Sequence, residues 1–306
     1  MTVQGPVSFE EMGLTDGHNH VWIEALPGRD ASDPVLVQFD LIADELAEYR
    51  EMGGRSLLDC QPFGCGRNGN QLLALSRKSG VHIVACTGFH RKKYYPPQHW
   101  FWDMDANRVY EFLVAEIRQA LSETIETVPV QAGFIKIALE AAWRDCPQAA
   151  LEGAAAAAIE TRLPIEIHTE KGALAEEICR YFADRKVPLH QLVLCHMDKR
   201  PDVELHKDLA TQGVLLEYDT FYRPKYEPQK NLWPLLETMV DAGFVKNIVL
   251  ATDMAEAALY HFIGNGPGLA SLPGEIRAQL SKRGIPESAS RQMLGGNIAR
   301  CLAGAG

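Results

Sequence analysis

Leu14-Thr15-Asp16-Gly17-His18-Asn19-His20 is the segment from which the architecture can be read outward. An apolar and a β-branched residue run into a His-x-His pair, and in a strand residues two apart share a face. Read as a strand end, the stretch aims the imidazoles of His18 and His20 at one point. That donor pair suits a borderline-soft cation such as Zn²⁺. A lone His-x-His pair more often reports surface or core-edge histidines. Its meaning therefore depends on similar strand ends elsewhere in the chain.

Outward from this stretch, short apolar or β-branched runs alternate with stretches of helical period. Candidate strands are 14–18, 56–60, 81–87, 133–139, 164–168, 192–196, 214–218 and 248–253. Candidate helices are 40–52, 70–79, 106–121, 148–161, 173–183, 202–210 and 233–242. Gly53-Gly54, Gly80, Gly213 and Gly243 stand where a helix hands over to the next strand, as C-terminal caps do. Eight strands alternating with helices predict a closed parallel barrel, with an open doubly wound sheet as the alternative. The alanines of 154–158 are good helix formers inside a helical window. With no Pro-, Gly- or Ser-rich linker and no internal repeat, residues 1–306 read as one (β/α)8 barrel domain, its active site at the C-terminal ends of the strands.

The 306 residues are 46% hydrophobic and 23% charged, ordinary for a globular domain. A formal charge of -10 without Lys/Arg-rich runs argues against nucleic acid as a partner. No apolar run approaches the roughly 18 residues of a membrane span. The first ten residues lack the basic and apolar regions of a secretory signal. Seven cysteines without regular spacing, and no Cys-x-x-Cys pair, predict reduced thiols and a cytoplasmic protein.

Five of the eight candidate strands carry, or end beside, a metal-competent side chain. The first gives His18 and His20, the fourth holds Lys136 inside an apolar run, the fifth ends at His168, the sixth at His196 and the eighth at Asp253. Catalytic groups of a barrel come from the carboxyl ends of several strands. One such residue could be a satisfied core group, but the same accident on four further strands is improbable. The pattern points to a metal site.

This order of ligands resembles that of the phosphotriesterase-like branch of the amidohydrolase superfamily, and in particular its lactonases. The resemblance extends through Leu58-Asp59-Cys60-Gln61-Pro62-Phe63-Gly64-Cys65-Gly66-Arg67, Ala85-Cys86-Thr87-Gly88-Phe89-His90, Phe134-Ile135-Lys136 and Gly296-Asn297-Ile298-Ala299-Arg300. It implies two divalent metals, Zn²⁺ with Mn²⁺, Co²⁺ or Fe²⁺ as alternatives. His18, His20 and Asp253 would hold the more buried metal, and His168 and His196 the more exposed one. Lys136 would bridge both as a CO₂-derived N-carboxylated lysine, since an ammonium would repel two dications. The competing reading of Lys136 is an ion pair with an acid such as Glu140. The implied reaction is hydrolysis by a metal-bridging hydroxide, with Asp253 taking its proton and passing it to the leaving group. A homodimer is implied as well.

The substrate reading rests on fewer residues. Arg223, Lys225 and Tyr226 resemble half of an anion site seen in members that act on phosphorylated sugar lactones. After Asp253, however, Glu256 stands where that pattern expects arginines. A small polar lactone, sugar-type or carboxylated, fits better than a phosphorylated one. His90 in the loop 88–102, and Asp198 among Asp198-Lys199-Arg200, are further candidates for substrate contact. Asp202 is expected to cap the following helix. Asp59, Gln61 and Arg67, at the mouth of the second strand, are expected to support the site's residues or to order loops rather than to act in catalysis. The alternative activities are a phosphotriesterase, carboxylesterase or amidase on the same metals; a non-catalytic binding protein of the same fold is more remote, because all six ligand positions are filled.

Overall fold

The computed structural model describes residues 1–28 and 33–304. Its strands are β1 (Leu14–Asn19), β2 (Gly54–Asp59), β3 (His82–Gly88), β4 (Phe134–Ala138), β5 (Ile165–His168), β6 (Leu192–Cys195), β7 (Leu215–Tyr218) and β8 (Ile248–Leu250). They hydrogen-bond in sequence order, each pair parallel. Helices Phe39–Glu51, Gly69–Ser79, Ala106–Arg118, Gln148–Thr161, Ala175–Asp184, Val203–Thr211 and Leu232–Asp241 connect them. The order never reverses, as it would at the switch point of a doubly wound sheet. The architecture is the (β/α)8 barrel.

Closure occurs between β8 and β1, and side chains secure it. The Asp253 N–H donates to the His18 carbonyl at 3.0 Å. Asp16 accepts from the backbone N–H of Thr252 at 3.1 Å and from its hydroxyl at 2.6 Å. The Asn19 amide donates to Asp16 at 2.7 Å and to the Thr252 hydroxyl at 2.8 Å. Gly17 lets the two strands meet: a Cβ there would lie 2.5 Å from Val249 Cγ1.

The period of two sorts each strand into two environments. Ile135, Ile137, Ile165, Ile167, Leu192 and Leu194 face outward and pack with helix residues such as Leu151, Ala154 and Phe182. Phe134, Val193, Leu215 and Val249 face inward with Ile298 and form an apolar floor. Asn297 holds the closing helix Asn297–Leu302 to that floor, donating to the carbonyls of Val245 and Ile248 at 2.7 Å each. The alanine-rich helix has a packing role beyond propensity. Gly153 sits so close to the helix Ala106–Arg118 that a Cβ would come within 2.7 Å of Val109.

Two long loops divide between packing and lining. In 88–102, Tyr95 and Phe101 are buried among Phe89, Trp102 and Phe112; only His90 and Tyr94 face the cavity above the barrel. In 254–274, Ala255 and Glu256 face it. The remainder is held to the first connecting helix by Glu45, which accepts from the N–H groups of Phe262 (2.6 Å) and Leu269 (3.2 Å).

Gly17→Ala tests the seam. Overpacking a filled core costs roughly 1–3 kcal/mol, so the variant should unfold at lower denaturant than the parent. Adding Val249→Ala should make the double mutant more stable than the sum of the single effects predicts. An unchanged midpoint for Gly17→Ala would contradict the close approach.

Candidate active site

The six residues expected as ligands come from five strand ends and meet at the C-terminal mouth of the barrel. They surround the base of a cavity of about 530 Å³ lined by His18, His20, His168, His196 and Asp253 among others. Lys136 lies beneath, fully buried. Two of these residues, His196 (φ 63°) and Asp253 (φ 45°), adopt the left-handed backbone region that non-glycine residues avoid. That strain turns both side chains from their strand ends into the site.

Each imidazole has one nitrogen engaged by a protein oxygen. His18 Nδ1 lies 2.7 Å from Glu217 Oε1, His20 Nδ1 2.8 Å from Gln61 Oε1, and His196 Nδ1 2.6 Å from Asp219 Oδ2. His168 is turned the other way, with Nε2 2.9 Å from Glu170 Oε1. These partners assign the tautomers: the engaged nitrogen carries the proton and the opposite one presents a lone pair. Burial lowers the pKa of all four rings below the ordinary histidine value, so they stand neutral, as metal ligands must. The hydrogen bond from His168 lowers the Glu170 carboxyl to about 2.

The free lone pairs fall into two groups. His18 Nε2 and His20 Nε2 each lie 3.7 Å from Asp253 Oδ1. His168 Nδ1 and His196 Nε2 face each other across 2.9 Å. Two acceptor nitrogens at that separation repel unless a cation or a proton lies between them. The three-residue group His18, His20, Asp253 fits a divalent metal, and the facing nitrogens of His168 and His196 stand beside it.

Lys136 Nζ lies 3.4 Å from His18 Nε2, 3.3 Å from Cys195 Sγ and 2.6 Å from Glu166 Oε1. Its acidic partner is thus Glu166, not Glu140. Glu140 pairs instead with Arg91 at 2.7 Å. Among the described residues, Glu166 and Glu217 each keep one buried carboxylate oxygen without a hydrogen-bond partner.

The residues expected to contact substrate separate. His90, Arg223, Lys225 and Tyr226 line the cavity. Asp198 does not; it is buried and accepts from the Thr220 N–H at 2.9 Å, and burial followed by repulsion from Asp219 raises its pKa to about 7. Its neighbour Lys199 lines the cavity in its place, 5.3 Å from the Tyr226 ring. Arg223 is committed to protein partners: Nη1 pairs with Glu256 at 2.6 Å, and Nη2 donates to the Asp253 carbonyl at 2.8 Å. Asp202 caps its helix by accepting from the Leu205 N–H. Asp59 accepts from the Val21 N–H at 2.7 Å, and Arg67 is bonded to Glu116, Glu123 and the Cys86 carbonyl.

Sequence reasoning missed Glu166, Glu217, Asp219 and Glu170. Glu166 stands two residues before His168 and Glu217 two before Asp219, so strand alternation places each pair on one face. That periodicity was the available signal. Glu170, in a loop, offered none.

Residues 1–302 match the model of the phosphotriesterase family. A phospho-furanose lactonase from Mycoplasmopsis synoviae is 27% identical, the alignment covering 99% of this chain and 91% of that one. An N-acetyltaurine hydrolase from Salmo salar is 24% identical over 98% of this chain and 97% of its own. Among solved structures, a lactonase from Listeria monocytogenes superposes with a TM-score of 0.90 at 24% identity, covering 98% of each chain. The chain belongs to the phosphotriesterase family and is a hydrolase.

Proposed function

We propose that the protein is a binuclear metal-dependent lactonase that opens a small polar lactone, sugar-type or carboxylated. The observation that carries this reading is the facing pair of lone pairs on His168 and His196, beside the converging His18, His20 and Asp253. The names of its relatives, phospho-furanose lactonase among them, support the reaction class.

His18, His20 and Asp253 would hold one divalent ion and His168 and His196 the other, with Zn²⁺ the first candidate and Lys136, once N-carboxylated by CO₂, bridging them. Such ions polarise a carbonyl and acidify water. The protein supplies the remainder. Glu217, Gln61, Asp219 and Glu170 hold the four imidazoles in the ligating tautomer and orientation. Asp253 turns Oδ1 toward His18 and His20, and Oδ2 toward Arg223 at 3.7 Å. Oδ2 is then the atom that accepts the proton of the attacking water and returns it to the departing alkoxide. In the unmodified chain the Lys136 ammonium is held by Glu166, and carboxylation exchanges that ion pair for the bridging role.

The cavity argues for a carboxylate or neutral polar group over a phosphate. Glu256 neutralises one end of Arg223, which leaves Lys199 and Lys225 as the cations of that wall. Carboxylate recognition needs one such charge, whereas a phosphate dianion recruits several donors. A second reading, an amidase on the same metals, is favoured by the relative named N-acetyltaurine hydrolase. Rates on matched lactone, amide and phosphotriester panels separate the two.

Elemental analysis of protein purified without chelators should find about two metals per chain, as a two-metal site requires, and far fewer in Lys136→Ala. One metal or none, unchanged by that substitution, would overturn the binuclear reading. Asp253→Asn should retain most of its metal while kcat falls by about 10²–10⁴, the range of a lost general acid–base group. Near-normal turnover in that variant would remove Asp253 from proton transfer. Lys225→Ala should raise KM for a carboxylated lactone about tenfold, the cost of one charge-assisted hydrogen bond, and leave an uncharged lactone unaffected.

A further inference from the structure

His90, in the loop that leaves β3, is held by contacts from that loop and from the end of β5. Its backbone N–H donates to Tyr95 Oη at 3.0 Å. Its ring stands edge to face with Tyr94, centroids 4.6 Å apart, and rests 5.2 Å from the ring of the metal-site residue His168. Its Nδ1 accepts the backbone N–H of Arg91 at 2.8 Å. That donor is itself immobilised, because the Arg91 guanidinium bridges Glu140 at 2.7 Å and Glu170 at 2.5 Å.

A nitrogen that accepts a backbone N–H cannot carry a proton of its own. In the neutral ring the proton is therefore on Nε2. Nε2 has no hydrogen-bond partner among the described residues, and the side chain lines the cavity above His168.

We propose that His90 is a substrate-contacting residue whose Nε2–H donates a hydrogen bond to an acceptor oxygen of the bound substrate, beside the His168–His196 pair. The inference rests on the lactonase reading and refines it. Tyr94, a hydroxyl, is able to donate or accept; His90 in this setting only donates. The site therefore favours a substrate that places a carbonyl, ring or carboxylate oxygen there over one that places an N–H there. Such a mismatch leaves two donors facing each other without an acceptor. The donor is oriented before substrate arrives, so no reorganisation accompanies the contact.

Two variants and a spectrum test this. His90→Phe keeps an aromatic ring and removes the donor; kcat/KM on the best lactone should fall by about 10–100-fold, as for a lost oriented donor. His90→Gln places an amide N–H at similar reach and should recover to within a few-fold of the parent. Metal content and melting temperature should be unchanged in both. Long-range ¹H–¹⁵N spectra, with the His90 signals assigned by their loss in His90→Gln, should show the Nε2–H tautomer without any substrate present. The proposal is overturned by His90→Phe retaining kcat/KM within twofold, by His90→Gln falling as far as His90→Phe, or by an Nδ1–H tautomer. Failure of the parent enzyme on every lactone and ester would instead overturn the lactonase reading, and the tautomer would still judge the donor.

Discussion

The barrel's function depends on one seam. Asp16, two residues before His18, takes both the backbone N–H and the hydroxyl of Thr252, the residue before Asp253. Asn19 joins the same cluster from between the two histidines. This buried network makes the closing of β8 onto β1 and the meeting of His18 and His20 with Asp253 a single event. Without it, side chains about 235 residues apart in sequence would have no fixed relation, and donor placement within about half an ångström is what a preformed site requires.

Beneath the mouth, the barrel interior changes character over a few residues. Phe134, Val193, Leu215, Val249 and Ile298 make an apolar floor, and directly above it lie Lys136, Glu166, Glu217 and His18, each at most 2% exposed. Taking charges such as those of Lys136 and Glu166 out of water costs roughly several kcal/mol per ion unless they are paired. Lys136 and Glu166 answer each other at 2.6 Å. Among the described residues, the orphaned oxygens of Glu166, Glu217 and Asp219 mark a layer with more hydrogen-bond acceptors than its protein partners satisfy.

Around the rim, the loop after β3 performs two tasks from one residue. The Arg91 side chain anchors Glu170, which orients His168, while the Arg91 backbone N–H sets the tautomer of His90. The neighbouring aromatic residues are largely committed to packing, which leaves this loop stiff where it meets the cavity. Binding residues on loops are useful when a scaffold fixes them, and here the scaffold is a chain of ion pairs joining the ends of β3, β4 and β5.

Local pattern sufficed for the strands, their alternation with helices, and the six metal-competent residues in or beside them. It did so because periods of 2.0 and 3.6 are local properties, and because histidine, lysine and aspartate are conspicuous at the end of apolar runs. Tertiary structure decided the partners. Lys136 meets Glu166 through the pairing of β4 with β5, where sequence proximity suggested Glu140. Asp198 and Lys199 are adjacent in the chain, yet the short turn after β6 buries the first against Thr220 and opens the second to the cavity. Arg223 meets Glu256 only because the β7 and β8 loops converge on the closed barrel. Hydrogen bonds between side chains depend on strand stagger and on closure, which are relations between distant segments and leave no local pattern.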